Sequence, residues 1–152
     1  MGDPARAYRQ FAGQGASLVN LVIQSYDQIL NALYAAIRFI EANRIEPKVK
    51  ELNHALLLVG HLQNALDFKA GPEVARNLER FYNLARTRIL KASSQNSVAL
   101  LQEVAGDFTT MRHAWEEVEK SVASTRESPT RSAGSNPYAS IEASYDSIDW
   151  SA

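Results

Sequence analysis

Apolar residues recur three and four positions apart in four segments of the chain, the spacing that places them on one face of an α-helix. The first segment runs from Ser17 to about Asn43, and the second begins at Pro47. The third begins at Pro72, and the fourth follows Asn96 or Ser97, either of which can cap it. No segment shows the strict alternation of a strand. The pattern therefore predicts four amphipathic helices.

The stretch from Ala65 to Ala92 carries the clearest of these signals. Gly71 is expected to take the left-handed backbone that closes a helix, because it has no Cβ to clash. Pro72 suits the first position of the next helix, and Glu73 lies at the positive end of that helix. One apolar stripe follows, formed by Ala75, Leu78, Tyr82, Ala85 and Ile89. Two helices therefore fold back on each other across this turn.

Short connections make neighbouring helices antiparallel, so the expected fold is all-α, an antiparallel up-and-down four-helix bundle over residues 16–126. Residues 1–15 are expected to form an N-terminal arm. Residues 127–152 hold one basic and four acidic residues and begin with a run rich in Ser, Pro and Gly, so they are expected to form a flexible, disordered acidic C-terminal tail. Within it, Ile141, Tyr145 and Ile148 share one helical face, which leaves a short docking motif as the alternative.

The second helix carries more apolar residues than one buried face requires. Its expected core stripe is Val49, Leu52, Leu56, Val59 and Leu66. Leu57 and Leu58 widen this stripe, which indicates either extra core packing or a surface that a partner covers. The natural ligand of such a surface on a helical body is another amphipathic helix.

Composition excludes several function classes. Of 152 residues, 45% are hydrophobic and 22% charged, and the net charge of -1 gives no reason to expect nucleic acid or an anionic membrane as partner. The absence of cysteine removes disulfides, thiolate metal sites and cysteine nucleophiles, and it suits a reducing compartment. No apolar run reaches the ~20 residues of a spanning helix. A cytoplasmic protein without membrane insertion is expected.

Candidate chemistry is sparse. Glu51 and His54 form half of the Glu-x-x-His arrangement of di-iron bundles, but no second pair accompanies them. His54 and His61 lie two turns apart, too far to share a metal ion. No glycine-rich phosphate loop or nucleophile elbow is present. We therefore expect no catalytic residues, no metal site and no cofactor, and hence no enzyme. The basic residues at the end of the third helix, which are Arg86, Arg88 and Lys91, are interpreted as complementing its negative end.

Several groups of residues together resemble the flagellar secretion chaperone FliS family. These groups are Arg6–Gln10, Ala16-Ser17, Leu21, Tyr26-Asp27, Leu66-Asp67, Gly71, Glu73–Ala75, Asn77-Leu78, Tyr82, Arg88–Leu90, Ala92 and Ala114-Trp115. The resemblance covers residues 5 to 122, and the spacing in the third helix is its most specific part. The chain departs from the family pattern at Leu18, where Pro is usual, at Pro72, where Gly is usual, and over Phe81–Leu84.

The resemblance implies a cytoplasmic export chaperone that binds the disordered C-terminal segment of flagellin as helices in apolar grooves and prevents premature polymerisation. It implies flagellin as partner, with the flagellar export apparatus as a further candidate. Tyr8 is the expected anchor of the arm, and the expected groove contacts are Leu21, Tyr26, Leu57, Leu58 and Tyr82. Each of these residues has an alternative role in the core. Two other functions stay open: a helical adaptor or regulator of another partner, and a carboxylate metal-binding bundle enzyme built on Glu51 and His54.

Overall fold

The structure is a computed structural model that describes residues 17–127 and 139–151. The predicted all-α four-helix bundle is confirmed, and a fifth, short helix follows it. The helices are α1 (Ser17–Glu41), α2 (Ile45–Asn64), α3 (Pro72–Gln95), α4 (Val98–Glu127) and α5 (Ala139–Asp146). Within these two ranges, none of the helices combines the length and hydrophobicity needed to cross a membrane.

The helix ends follow local backbone chemistry. Asn43 and Asn96 adopt left-handed backbone at φ 57° and 50°, so asparagine closes α1 and α3. The hydroxyl of Ser97 accepts a hydrogen bond of 3.2 Å from the N–H of Leu100, as expected of the residue that caps α4. The expectation for Gly71 was wrong, because its φ of −143° lies outside the left-handed region. The turn before it is closed instead by the Asp67 carboxylate, which accepts hydrogen bonds from two backbone N–H groups.

Each long helix packs against its neighbours in chain order, and α1 closes the bundle against α4. An aromatic cluster fills the centre. Tyr26 and Phe81 each contact Phe108 with ring centroids 5.2 and 5.0 Å apart. Trp115 and Tyr82 complete the cluster and are fully buried. The α3 stripe predicted from the sequence is buried throughout.

The buried face of α2 differs from the predicted one at its N-terminal end. Val49, expected in the core, is exposed, whereas its neighbour Lys48 is buried. The Lys48 ammonium donates hydrogen bonds to the Ser93 carbonyl oxygen at 3.0 Å and to Asn96 Oδ1 at 2.7 Å. Two acceptors at the end of α3 thus compensate the burial of this charge. With Lys48 turned toward α3, Val49 faces solvent and not the core.

Residues 139–151 are ordered against the bundle, in contrast to the disorder expected for the C-terminal tail. Ile141 and Ile148 join the hydrophobic core, and α5 packs on α4. A helix this short is marginal by itself, so its order comes from these tertiary contacts. The alternative of a short docking motif therefore describes this segment better.

Candidate peptide-binding surfaces

Two of the expected groove contacts, Tyr26 and Tyr82, lie inside the bundle. Their hydroxyl groups form a hydrogen bond of 2.7 Å, and Trp115 Nε1 donates to Tyr26 Oη at 3.3 Å. Burial raises the pKa of the Tyr26 phenol, and these two hydrogen bonds offset only part of that effect. Both tyrosines have 0% exposure, so in this conformation they shape the core and present no surface to a partner.

The other expected contacts lie at different depths. Leu57 is 56% exposed, whereas Leu58 is partly buried and packs against the core. Consecutive residues of a helix point about 100° apart, so the two leucines cannot serve one surface equally. Leu21 is half-buried on α1. Tyr8 and the N-terminal arm lie outside the described residues.

The register of α2 against α3 follows from contacts at both ends. Gln63 Nε2 donates a hydrogen bond of 2.6 Å to Asn83 Oδ1, and Lys48 reaches Ser93 at the opposite end. Because the two helices run antiparallel, these pairs place Leu90 level with the middle of α2.

An apolar surface follows from this register. Ile45, Val49 and Leu56 lie within about 40° of one another around α2, on the side turned toward α3. On α3, Leu90 lies on the same side as Asn83, which bonds α2. We call Ile45, Val49, Leu56 and Leu90, together with Leu57 at their outer edge about 100° from Leu56, the α2–α3 surface. All but the half-buried Leu56 are exposed large hydrophobic residues.

The face on the other side of α3, shared with α4, is covered by residues 139–151. Val74 and Leu78 of α3 and Met111 of α4 are buried and line a cleft of about 330 Å³ together with Ile141 and Tyr145 of the covering segment. We call this the α3–α4 face. An amphipathic helix therefore already lies in one interhelical groove of the bundle.

Polar contacts hold the end of the covering segment. The Arg88 guanidinium donates hydrogen bonds to the backbone carbonyl oxygens of Asp149, at 2.5 Å, and Ser151, at 2.8 Å. Nearby, the Trp150 ring packs against the Tyr145 ring at a tilt of 49°, with centroids 4.5 Å apart, and the Arg80 guanidinium lies 4.7 Å from the Trp150 ring centre.

Arg88 is nearly fully buried, so its charge needs compensation. Asp107 on α4 supplies it at 3.1 Å, and Glu103 lies 3.6 Å away. Burial raises the pKa of the Asp107 carboxyl above its usual range, although the Arg88 charge opposes this. Two hydrogen bonds from Ser151 lower the pKa of the exposed Asp149 carboxyl. The guanidinium thus links α3, α4 and the C-terminal segment.

The metal-binding alternative finds no support in the part of the chain that the structure describes, where no group of three His, Asp or Glu residues could hold an ion. Glu51 and His54 line an open groove between α1 and α2. Arg38 lines the same groove, and its positive charge disfavours a cation there.

Sequence reasoning missed Leu90 and Arg80, and its interpretation of Arg88 as a complement to the negative end of α3 was wrong, because Arg88 is buried and contacts α4 and the C-terminal segment. Leu90 and Arg88 lie about 100° from the middle of the predicted α3 stripe, on opposite sides of it. On the side of Arg88 the helix is also buried at Phe81 and Leu84, which the stripe did not include. The partners of Arg88 lie far along the chain, and residue type alone does not indicate them.

These features define a class of protein: an all-helical bundle whose described residues form an exposed apolar surface and a groove that holds a short helix. The sequence profile of the family described as "Flagellar protein FliS" matches residues 1–122, and the chain belongs to this family. The match ends before the segment that covers the α3–α4 face.

Named relatives agree with this assignment. The chain is 30% identical to the flagellar secretion chaperone FliS of Escherichia coli over 117 residues, which is 74% of this chain and 86% of the relative. It is 30% identical to FliSB of Pseudomonas aeruginosa over 99 residues, 65% of this chain and 76% of the relative. Identity to FliS of Bacillus subtilis is 26% over 115 residues, 76% and 85% of the two chains.

Proposed function

We propose that the protein is a cytoplasmic export chaperone that binds the C-terminal segment of flagellin as amphipathic helices and keeps it from polymerising before secretion. The relatives' names, flagellar secretion chaperone, support the export role. The observation that carries the binding role is the α2–α3 surface, where Leu57 and Leu90 are each 56% exposed.

An exposed cluster of large aliphatic side chains suits a helix with an apolar stripe. Ile45 and Leu57 lie 12 residues apart on α2, which corresponds to about 18 Å along the axis. A client helix of three to four turns matches that length. The client gains order as it buries its apolar face, and the entropy cost of that ordering keeps the affinity moderate.

Leu57 offers the sharpest test, because its exposure allows Leu57→Asp to keep the fold. Leu58 packs against the core, so a double substitution would confuse binding with stability. Calorimetric titration with the C-terminal segment of the same organism's flagellin should show affinity reduced at least about tenfold in Leu57→Asp, as expected when a large apolar contact is replaced by a charge. Leu90→Asp should reduce the affinity similarly.

Tyr34→Asp is the matched control. Tyr34 is 45% exposed on α1, and its substitution removes a large exposed side chain and adds one negative charge, as Leu57→Asp does. Unchanged affinity in Tyr34→Asp with reduced affinity in Leu57→Asp supports the proposal. No binding by the wild type, or equal losses in all three variants, would overturn it.

A further inference from the structure

The C-terminal segment lies on the α3–α4 face as a ligand lies in a binding site. Ile141 and Ile148 insert their side chains into the core, and the backbone carbonyls of Asp149 and Ser151 accept hydrogen bonds from Arg88. The bundle contributes apolar residues beneath the helix and a buried cation at its end. A peptide with spaced apolar residues and free carbonyl groups fits these contacts.

The segment leaves space on this face. A cleft of about 330 Å³, partly open to solvent, lies between α3, α4 and α5, and Glu73 and Asn77 line it beside the apolar residues. A ligand with larger side chains than those of the segment therefore has room there.

The contacts of the segment also suit exchange. Tyr145 and Trp150 are only partly buried, and the cation–π contact of Trp150 is made with an exposed arginine. The segment belongs to the same chain as the face that it covers, so its docking is an intramolecular equilibrium that a competing peptide can shift.

We propose that residues 139–151 are a resident ligand of the α3–α4 face, which the client's amphipathic segment displaces on binding. This inference rests on the proposed function, since it takes the flagellin C-terminal segment as the client. The client segment should resemble the segment that it replaces: a short helix with one large apolar residue that packs on the bundle, as Ile141 does, followed by a second large apolar residue seven positions later and just beyond the helix end, as Ile148 is. The face thereby stays covered while no client is bound.

Removing the resident should strengthen client binding. Ile148→Asp places a charge where a buried isoleucine packs and should release the segment. Titration of the full-length variant with the flagellin C-terminal segment should then show affinity about tenfold above the wild type, the gain expected if the segment covers the face in about nine of ten molecules. Trp150→Ala should increase the client affinity less than Ile148→Asp does. It takes the place of Ile148→Asp if that variant fails to fold.

Ser147→Asp is the control, because Ser147 is exposed and the substitution adds the same charge one residue away. It should leave the client affinity unchanged. Hydrogen exchange should show residues 139–151 losing protection in wild type when client is added, and in Ile148→Asp without it.

The outcomes separate this inference from the proposed function. Client affinity that is unchanged or weaker in the released variants, or protection of residues 139–151 that persists in the client complex, overturns the resident-ligand proposal while the chaperone role stands. Failure of the client to bind wild type and variants alike overturns both.

Discussion

The guanidinium of Arg88 donates a hydrogen bond of 2.8 Å to the backbone carbonyl oxygen of Ser151, 63 residues further along the chain. Arg88 lies on α3, inside the region matched by the family profile, whereas Ser151 lies beyond it. A charge buried in the bundle is thus partly satisfied by a segment that lies beyond the residues matched by the family profile. Loss of this contact leaves the buried guanidinium with fewer hydrogen bonds in a poorly hydrated place.

Arg88→Met tests how strongly this contact holds the C-terminal segment. The substitution keeps an apolar stem but removes the donors to Asp149 and Ser151 and leaves Asp107 without its cation. We expect the free energy of unfolding to fall by about 1–3 kcal/mol. Hydrogen exchange of residues 139–151 should accelerate more than that of α1. Urea denaturation and exchange mass spectrometry measure the two effects.

Arg76→Met provides the comparison for this experiment. Arg76 is exposed on the same helix, so its substitution removes the same charge without a buried contact. The free energy of unfolding of Arg76→Met should differ from that of the wild type by less than about 0.5 kcal/mol. Equal exchange of residues 139–151 in Arg88→Met and wild type would contradict the anchoring role.

The fold was predictable because its signals are local. The stripe of α3, from Ala75 to Ile89, and the Ser97 cap can be recognised from residues within a few positions, and both were confirmed. Gly71 was misread because a glycine before a proline is compatible with a backbone inside or outside the left-handed region. The choice there depends on Asp67, whose carboxylate closes the turn.

The binding surfaces were less predictable because they depend on how helices rotate about their axes. Leu57 and Leu58 look alike in the sequence, yet a rotation of about 100° separates an exposed side chain from one packed on the core. The rotation of α2 is set partly by Lys48, whose acceptors belong to α3. The hydrophobic periodicity of one segment carries no information about hydrogen bonds to another helix.

The burial of the Tyr26 phenol predicts that the folded protein loses stability in alkaline solution. Burial raises the pKa of its phenol above the ordinary value of about 10, so the neutral form is favoured in the folded state. Its contribution to stability is complete below about pH 10 and is lost as the pH rises from there toward the folded-state pKa, by up to about 1.4 kcal/mol per pH unit. Urea denaturation between pH 8 and 11 measures this slope.

Tyr26→Phe isolates the contribution of that phenol. At neutral pH the variant should be less stable by about 1–3 kcal/mol, because the hydrogen bonds with Tyr82 and Trp115 are lost. Above pH 10 its stability should fall less steeply than that of the wild type, so the two curves approach each other. Parallel curves across this range would show that ionisation of Tyr26 does not govern alkaline unfolding.

Lys48 connects the start of α2 to the end of α3, and its removal should loosen that end of the bundle. Lys48→Met keeps the buried stem but deprives the Ser93 carbonyl and the Asn96 side chain of their donor. The ammonium also faces the negative end of α3, so its loss removes a favourable interaction with the helix dipole. We expect a loss of about 1–2 kcal/mol in urea denaturation. Lys50→Met, at an exposed position of the same helix, should lose less than about 0.5 kcal/mol, and equal losses in both variants would show that the buried contacts contribute no stability of their own.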